Sequence, residues 1–415
     1  MSADYPNWLT KEMVAGIRKY NLDAYLVALE GWRRGLTLKW YYDMPVEANI
    51  KLTGKNTIGK IFSLSNDDHE FFFYRSRGAK VSNEAVDIIN NKEDLKSVLF
   101  NAKISFLENE KYKKGESLRI YVVGNSILGA LKRTSANVIG NGKQSIEKLI
   151  INRNHDRQTN PYLSTRPITI DHELFNVLAS QNYTIQSVPR KDEVVYLKEN
   201  MDVSKGADTI DVTNSLSTDI RELAINAVMA IPGLYHAGVD ITVENGKAYV
   251  VDIDPTAAIS AHVFPTKGQP RNIAEGIIDA YFPETIGLAS DRTKIYFDYK
   301  KIREMLLSKS VKKIEVTDAP KGPIYAKRYV ISGEVQLVGY RKWIQKQALK
   351  HELNGYTKNL RNGKVVVVVG SGNKEAVDNF KQVCYQGSKR SRVDDIQEYI
   401  WDKRVKIGFE VKEMN

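Results

Sequence analysis

Asp240, Asp252 and Asp254 stand where three carboxylates can meet. Two stretches that alternate apolar and polar residues, GVDITVE and KAYVVDIDP, flank the pair Asn245-Gly246, a strong short-range signal for a tight hairpin. Alternation puts Asp252 and Asp254 on one face of their strand. Pairing across the hairpin brings Asp240 to the same face. Three facing carboxylates repel, and burying them is costly. A hard cation such as Mg2+ removes the conflict, because it takes oxygen ligands and bridges to substrate phosphates. A strand edge carrying solvated aspartates is the other reading of the same pattern.

A second candidate lies near the C-terminus. SGEVQLVGYRKW, Ser332 to Trp343, runs as a strand into Gly-Tyr-Arg and then into a basic helix. A strand, a turn and a helix start leave backbone N–H groups pointing outward, an arrangement that favours an anion. Arg341, delivered at the turn, adds a planar fork of donors suited to phosphate. An arginine at a helix start making a surface ion pair is the alternative. Other groups carry less. The six histidines are scattered, and His262, just after the aspartate strand, is the one nearest to chemistry. Ser332 and Cys384 lack a base partner in the sequence and read as structural. Lys132 and Arg133 read as lining a cleft or facing solvent rather than binding nucleic acid.

These groups need elements to hold them, and the chain reads as α/β followed by α+β. Residues 1–117 are a mixed α/β start. DAYLVALEGWRRGLTLKWY flows into a strand, and EFFFYRSRG is a strand with a basic end. SNEAVDIINNKEDLKSVLFNAKI is helical, with Ser82 as its cap and Val86, Ile89 and Leu95 on its apolar face. Residues 118–290 carry the strand LRIYVVG, the helix STDIRELAINAVMAI, the aspartate hairpin and the helix RNIAEGIIDAYFPE. Residues 291–322 read as a connector ending in the linker DAPKGP, Asp318 to Pro323. Residues 323–415 run β-α-β-β-α-β with an extra strand, a ferredoxin-like split βαβ.

Whole-chain properties narrow the classes. The 415 residues suffice for two or three domains, with 42% hydrophobic and 27% charged residues. No run approaches a membrane span, and the start shows no targeting pattern. The single cysteine excludes an internal disulfide and a cysteine metal cluster. A cytoplasmic protein with no membrane partner is expected. The net charge of +11 is spread along the chain without a basic tail, so a small anionic substrate is expected before nucleic acid.

Two resemblances extend this reading. LRIYVVGNSILGALKRTSANVIGNGKQSIEKLI, followed by GLYHAGVDITVENGKAYVVDIDPTAAISAHVFPTKGQPRNIAEGIIDAYFP, resembles the C-terminal half of an ATP-grasp ligase of the cyanophycin-synthetase and glutathione-synthetase-like branch. The resemblance implies ATP and Mg2+, with Asp240, Asp252 and Asp254 holding the metal on the phosphates. It implies that Arg119 reaches phosphate or an acyl phosphate, and that DVSKGA, Asp202 to Ala207, contributes to the substrate side. Lys92 matches the family's first nucleotide-binding lysine, and EKYKKGESLRIYVVG its adenine hinge. The chain departs from the pattern twice. Asp252-Ile253-Asp254 stands where the family has Glu-x-Asn. The segment carrying the family's Lys-Pro and glycine-rich phosphate loop, roughly 70 residues by usual domain anatomy, is absent before Arg119.

Residues Tyr325 to Val411 resemble acylphosphatase. Its Gly-x-Val-Gln-Gly-Val-x-Phe/Tyr-Arg signature reads Gly333-Glu334-Val335-Gln336-Leu337-Val338-Gly339-Tyr340-Arg341. Its Gly-x-x-x-Asn reads Gly355 to Asn359. The resemblance implies that Arg341 binds the phosphoryl oxygens and Asn359 orients the attacking water, without metal. Leu337 replaces the signature's second glycine, and its side chain is expected to crowd the phosphate cradle. Together the two resemblances imply a two-module enzyme that forms and hydrolyses acyl phosphates, with a small acyl phosphate or carboxylate as substrate. An acylphosphatase carrying a non-catalytic ATP-grasp scaffold, and a basic partner- or nucleic-acid-binding protein, remain the alternatives.

Overall fold

The computed structural model describes residues 5–52, 54, 56–107, 115–288 and 293–413. Helices α1 (Lys11–Val14) and α2 (Tyr20–Arg33) precede strands β1 (Thr37–Tyr41), β2 (Ile61–Ser65), β3 (Glu70–Tyr74) and β4 (Arg77–Gly78). Helix α2 is buried along almost its whole length, polar Asp23, Glu30 and Arg33 included. Such groups persist in a core only when partnered. Arg33 Nε donates to Ile295 O at 2.9 Å, and Arg34 donates to Glu30 at 2.9 Å and Asp279 at 2.6 Å.

The stretch expected as one helical run is two helices. The Ser82 side chain accepts from Ala85 N and starts α3 (Asn83–Asn90). Asn91 then leaves helical geometry at φ −98°, ψ 107°, and its side chain caps α4 (Lys92–Asn101). Val86, Ile89 and Leu95 are buried, as their spacing predicts.

A second sheet begins with β5 (Glu116–Val123) and β6 (Ser126–Thr134). A small lobe follows, built from β7 (Asn137–Ile139), α5 (Ile146–Thr159), α6 (His172–Ser180) and β8 (Val194–Tyr196), with its own core around Val138, Ile146, Leu174 and Val195. Then come β9 (Asp208–Asp211), α7 (Thr218–Met229), β10 (His236–Glu244), β11 (Lys247–Asp254), α8 (Ser260–Val263) and α9 (Ile273–Tyr281). The antiparallel order is β11-β10-β5-β6-β9. Asn245 (φ 50°) and Gly246 (φ 76°) form the hairpin turn expected between β10 and β11. Alternation divides β5 between two cores. Leu118, Ile120 and Val122 pack with Ala224 and Val228 of α7, whereas Tyr121 and Val123 join the core that holds α2 and α9.

The segment expected as a connector is part of the first core. Strand β12 (Ile295–Tyr296) leads through α10 (Tyr299–Leu307) to β13 (Lys313–Val316), which pairs with β1 to give the order β13-β1-β2-β3-β4. Phe297 and Tyr299 pack on Tyr25 and Trp40. A strand that pairs with a partner far back in the chain leaves no local signal of that pairing, which is why the sequence reads residues 291–322 as a connector and not as part of a sheet.

The C-terminal module runs β14 (Tyr325–Glu334), α11 (Tyr340–Lys350), β15 (Asn354–Asn359), β16 (Val365–Ser371), α12 (Lys374–Gln386), β17 (Arg392–Ile400), β18 (Val405–Lys406) and β19 (Phe409–Lys412). Its main sheet has the order β17-β14-β16-β15-β19, the ferredoxin-like arrangement expected. Both helices cover one face, where Tyr340, Ile344, Phe380 and Cys384 meet Tyr329, Ile331 and Val367. Strand β18 leaves this sheet to pair in parallel with β12, which joins the module to the N-terminal part. Among the described residues no helix is long and apolar enough to cross a membrane.

Candidate active sites

A cavity of about 750 Å³ opens against the aspartate hairpin. Asp240 pairs with Asp252 across the hairpin and with Arg119 on the other side, and Gly238 pairs with Asp254. The three carboxylates and Arg119 therefore share one face, and all four line the cavity. Their repulsion is met chiefly by arginine. Arg119 grips Asp240 fork to fork, Nε and Nη2 each at 2.7 Å, and Arg133 Nη2 adds a third bond at 2.8 Å. Arg119 Nη1 also lies 3.6 Å from Asp254. Burial alone would push the Asp240 carboxyl up, but the two guanidiniums hold it below the usual carboxylate range. Asp254 accepts from Thr256 N at 2.9 Å and Thr256 Oγ1 at 3.1 Å. Asp252 is pushed up to about 6 by burial and then by the negative charge of Asp240. Among the described residues no group of three or more His, Cys, Asp or Glu side chains is arranged to hold a metal ion.

Other walls come from distant segments. Lys92 enters at the first turn of α4, and Asp202, Val203 and Ser204 of the DVSKGA stretch line the same space. Of the hinge-like stretch, residues 110–114 lie outside the described residues. Sequence reasoning missed two cationic residues here. Arg75, 8% exposed and at φ 60°, lies between β3 and β4, with its guanidinium 3.6 Å from the Tyr20 ring centroid. Arg166 lies 4.1 Å from the Tyr162 ring centroid. The one sequence signal was the basic end of EFFFYRSRG, and only the fold brings Arg75 to the cavity wall, where its Nη1 donates to Thr256 Oγ1 at 3.3 Å. His262 is fully buried with neither ring nitrogen hydrogen-bonded, and burial followed by the charge of Arg119 pushes it down to about 3. It is not part of the cavity wall.

The second site is built by fewer residues. Residues 335–339 lie between β14 and α11, and Gly339 at φ 78° opens the helix. Among the described residues, Val335 N donates to Gly333 O at 3.0 Å, whereas the N–H groups of Gln336, Leu337, Val338 and Gly339 donate to no protein acceptor. Arg341 follows in the first turn of α11, and its Nη1 donates to Lys412 O at 3.2 Å. Lys412 pairs with Lys358, the residue before Asn359. The buried residues of β15, Gly355, Thr357 and Asn359, are on the helix-covered face, and Asn359 Oδ1 is buried without a partner. Gln336 Nε2 ties the loop to the turn after β15 through Leu360 O and Lys364 O, both at 2.9 Å. Arg341, a row of free N–H groups and an unused amide oxygen thus gather at one end of the module.

Leu337 corrects an expectation. Its side chain is fully exposed and does not crowd the loop. Its cost is conformational instead, because φ is 62°, where a Cβ costs about 1–2 kcal/mol.

The Acylphosphatase family model matches residues 327–411, and the C-terminal module is an acylphosphatase domain. The chain is 32% identical over 184 residues to the glutathione biosynthesis bifunctional protein GshAB of Clostridium perfringens, covering 42% of this chain and 23% of that protein. The Enterococcus faecalis GshAB is 31% identical over 188 residues, covering 43% and 25%. The chain thus spans about a quarter of the length of these curated relatives. Among solved structures, the bifunctional glutathione synthetase from Pasteurella multocida aligns at 21% identity and TM-score 0.49, over 54% of this chain and 41% of that one. The acylphosphatase from Bacillus subtilis aligns at 29% identity and TM-score 0.20, over 21% of this chain and 98% of that one.

Proposed function

We propose that the chain is a two-module enzyme whose C-terminal module hydrolyses acyl phosphates, joined to a carboxylate–amine ligase-like ATP-grasp module. The convergence of Arg341, the free N–H groups of residues 336–339 and the unpartnered Asn359 Oδ1 carries the reading. The phosphoryl oxygens sit on the N–H row and the Arg341 fork. Asn359 Oδ1 accepts a hydrogen from water and aims its oxygen at phosphorus. The new P–O bond forms as the bond to the acyl oxygen breaks, the carboxylate leaves, and the water's proton passes to solvent. The acyl phosphate already has a good leaving group, so positioning and fixed donors suffice. Full-length protein given benzoyl phosphate in EDTA should release phosphate, and Arg341→Gln should not. Equal turnover by both would overturn the assignment.

The N-terminal cavity suits a nucleotide with Mg2+. The residues fit the ion in part: Asp252 and Asp254 would hold it, and phosphate oxygens would fill its remaining positions. Asp240 joins them only by giving up an arginine bond. A bound Mg2+ would supply charge neutralisation on the phosphates. Lys92 would bind a phosphate, and Arg119 would orient an acyl phosphate; both line the cavity. A second reading, a nucleotide- or substrate-binding lobe without ligation, is favoured by one observation. Only residues 108–114 separate Leu107 from Gly115, too few for a phosphate-loop lobe. Calorimetry with Mg2+ and a non-hydrolysable ATP analogue tests the cavity. Asp252→Asn with Asp254→Asn should abolish binding, and unchanged binding would overturn the metal assignment. Analogue binding without amide formation from any offered carboxylate and amine would favour the second reading.

A further inference from the structure

The uncovered face of the C-terminal sheet is not open. A second cavity, about 400 Å³, lies between it, the segment 401–406, and Glu12 and Tyr296 of the N-terminal part. That volume falls within the roughly 300–1,000 Å³ of small-molecule sites. Two cross-strand rows floor it. Arg328, Val368, Tyr356 and Glu410 are successive partners in one. Val366, Lys358 and Lys412 are successive partners in the other. Neither Arg341 nor Asn359 lines this space. Lys358 projects opposite to its neighbour Asn359, as strand alternation requires.

The charges do not balance. Lys358 and Lys412 are direct cross-strand neighbours on one face, a like-charge placement that destabilises a sheet. Arg328, Lys403 and Arg404 add three more cations to the walls. Of the two lining carboxylates, Glu410 is already paired with Lys406, which also holds Asp298 at 2.9 Å. That leaves Glu12 against five cations. The apolar part of the wall combines the rings of Tyr356 and Trp401 with Leu360, Val366, Val368 and Val405. The Lys412 ammonium lies 4.0 Å from the Tyr356 ring centroid, and Lys403 lies 5.5 Å from that of Trp401. Trp401 Nε1 is buried with no protein acceptor.

We propose that this cavity binds a phosphate-bearing aromatic ligand of mononucleotide size, at a site separate from both candidate active sites. The phosphate would sit between Lys358, Lys412 and Arg328, and relieve the like-charge pair. The ring would lie against Tyr356 and Trp401. Glu12 and Tyr296 close the pocket, so the site exists only where the module meets the N-terminal part.

The test is calorimetric titration of the full chain with adenosine 5′-monophosphate in EDTA at fixed ionic strength. A saturable site that persists in Arg341→Gln and in Asp252→Asn is expected, with adenosine and inorganic phosphate each at least about tenfold weaker there, since each lacks half of the contacts. Lys358→Gln with Lys412→Gln should weaken the monophosphate by about tenfold or more without lowering Tm, because it removes a repulsion. If that variant fails to fold, Arg328→Gln reads the same phosphate from the next row. Arg341→Gln and Asp252→Asn should change its affinity by less than about twofold. No saturable binding would overturn the proposal, as would equal affinity for adenosine. So would loss of binding in Arg341→Gln or Asp252→Asn with retention in the double lysine variant. Acyl phosphate turnover is not read, so the outcome is independent of the phosphatase assignment.

Discussion

In the acylphosphatase domain, Arg341 and the N–H groups of residues 336–339 face outward with no carboxylate on them. In the N-terminal cavity, Arg119 and Arg133 already hold Asp240, and Arg119 also reaches Asp254. One site keeps its donors clear of any carboxylate, with only Arg341 Nη1 given to a backbone carbonyl, for an anion that must arrive. The other has spent much of its charge internally, and a ligand there must compete with bonds already made. The difference follows from construction. The first site is made within one sheet and one helix start, where turn geometry leaves donors without partners. The second draws on several segments of the chain, and its charged groups can neutralise one another before any ligand binds.

Arg341→Gln gives the sharpest break in this contrast. It removes the fork that has no substitute nearby, and kcat/KM for an acyl phosphate should fall by more than about 10³-fold. Stopped or continuous release of phosphate from benzoyl phosphate measures it. A fall below tenfold would mean the backbone cradle does the work alone.

Asn359→Ala should act differently. It removes a water-positioning acceptor and leaves the anion site, so kcat should drop by about 10²–10³, near 2.7–4 kcal/mol, with KM changing little. An equal effect on KM would make Asn359 a binding group instead.

Asp240→Asn probes the other site through stability. It leaves Arg119 and Arg133 facing a neutral amide in a largely buried position, and unfolding should become easier by about 3 kcal/mol, the low end for a broken buried pair. Denaturant melts with and without the Arg119→Met partner change check it. A double variant as stable as the parent would show the pairs to be neutral in sum.

Leu337→Gly is the smallest effect expected. Relief of the positive φ should stabilise the chain by about 0.5–1 kcal/mol, after the extra freedom of glycine in the unfolded state is counted. Turnover should stay within about twofold, because the exposed side chain touches nothing in the loop. A large rise in turnover would restore the crowding explanation that the geometry removes.

Local sequence carried the C-terminal site almost completely. Gly333 to Arg341 specify a strand, a loop with positive-φ positions and a helix start. Gly355 to Asn359 specify another strand of the same sheet, and period two decides that Asn359 faces the helices. The Asn245-Gly246 turn was legible too, but its register carried on unbroken would set Asp240 opposite Val251. A bulge between Asp240 and Ile241 shifts the pairing by one residue, so that Asp240 meets Asp252. What neutralises those aspartates was not readable. Arg119 faces Asp240 only because β5 pairs with β10 across more than a hundred residues, and Arg133 reaches the same carboxylate from β6. The pairing of β13 with β1 and the basic cavity behind β15 are decided in the same way. Turns and alternation are written in neighbouring residues, because steric and hydrogen-bond preferences act over a few bonds. Which distant strand or charge becomes a partner depends on how whole faces pack, and that is settled only when the chain has folded.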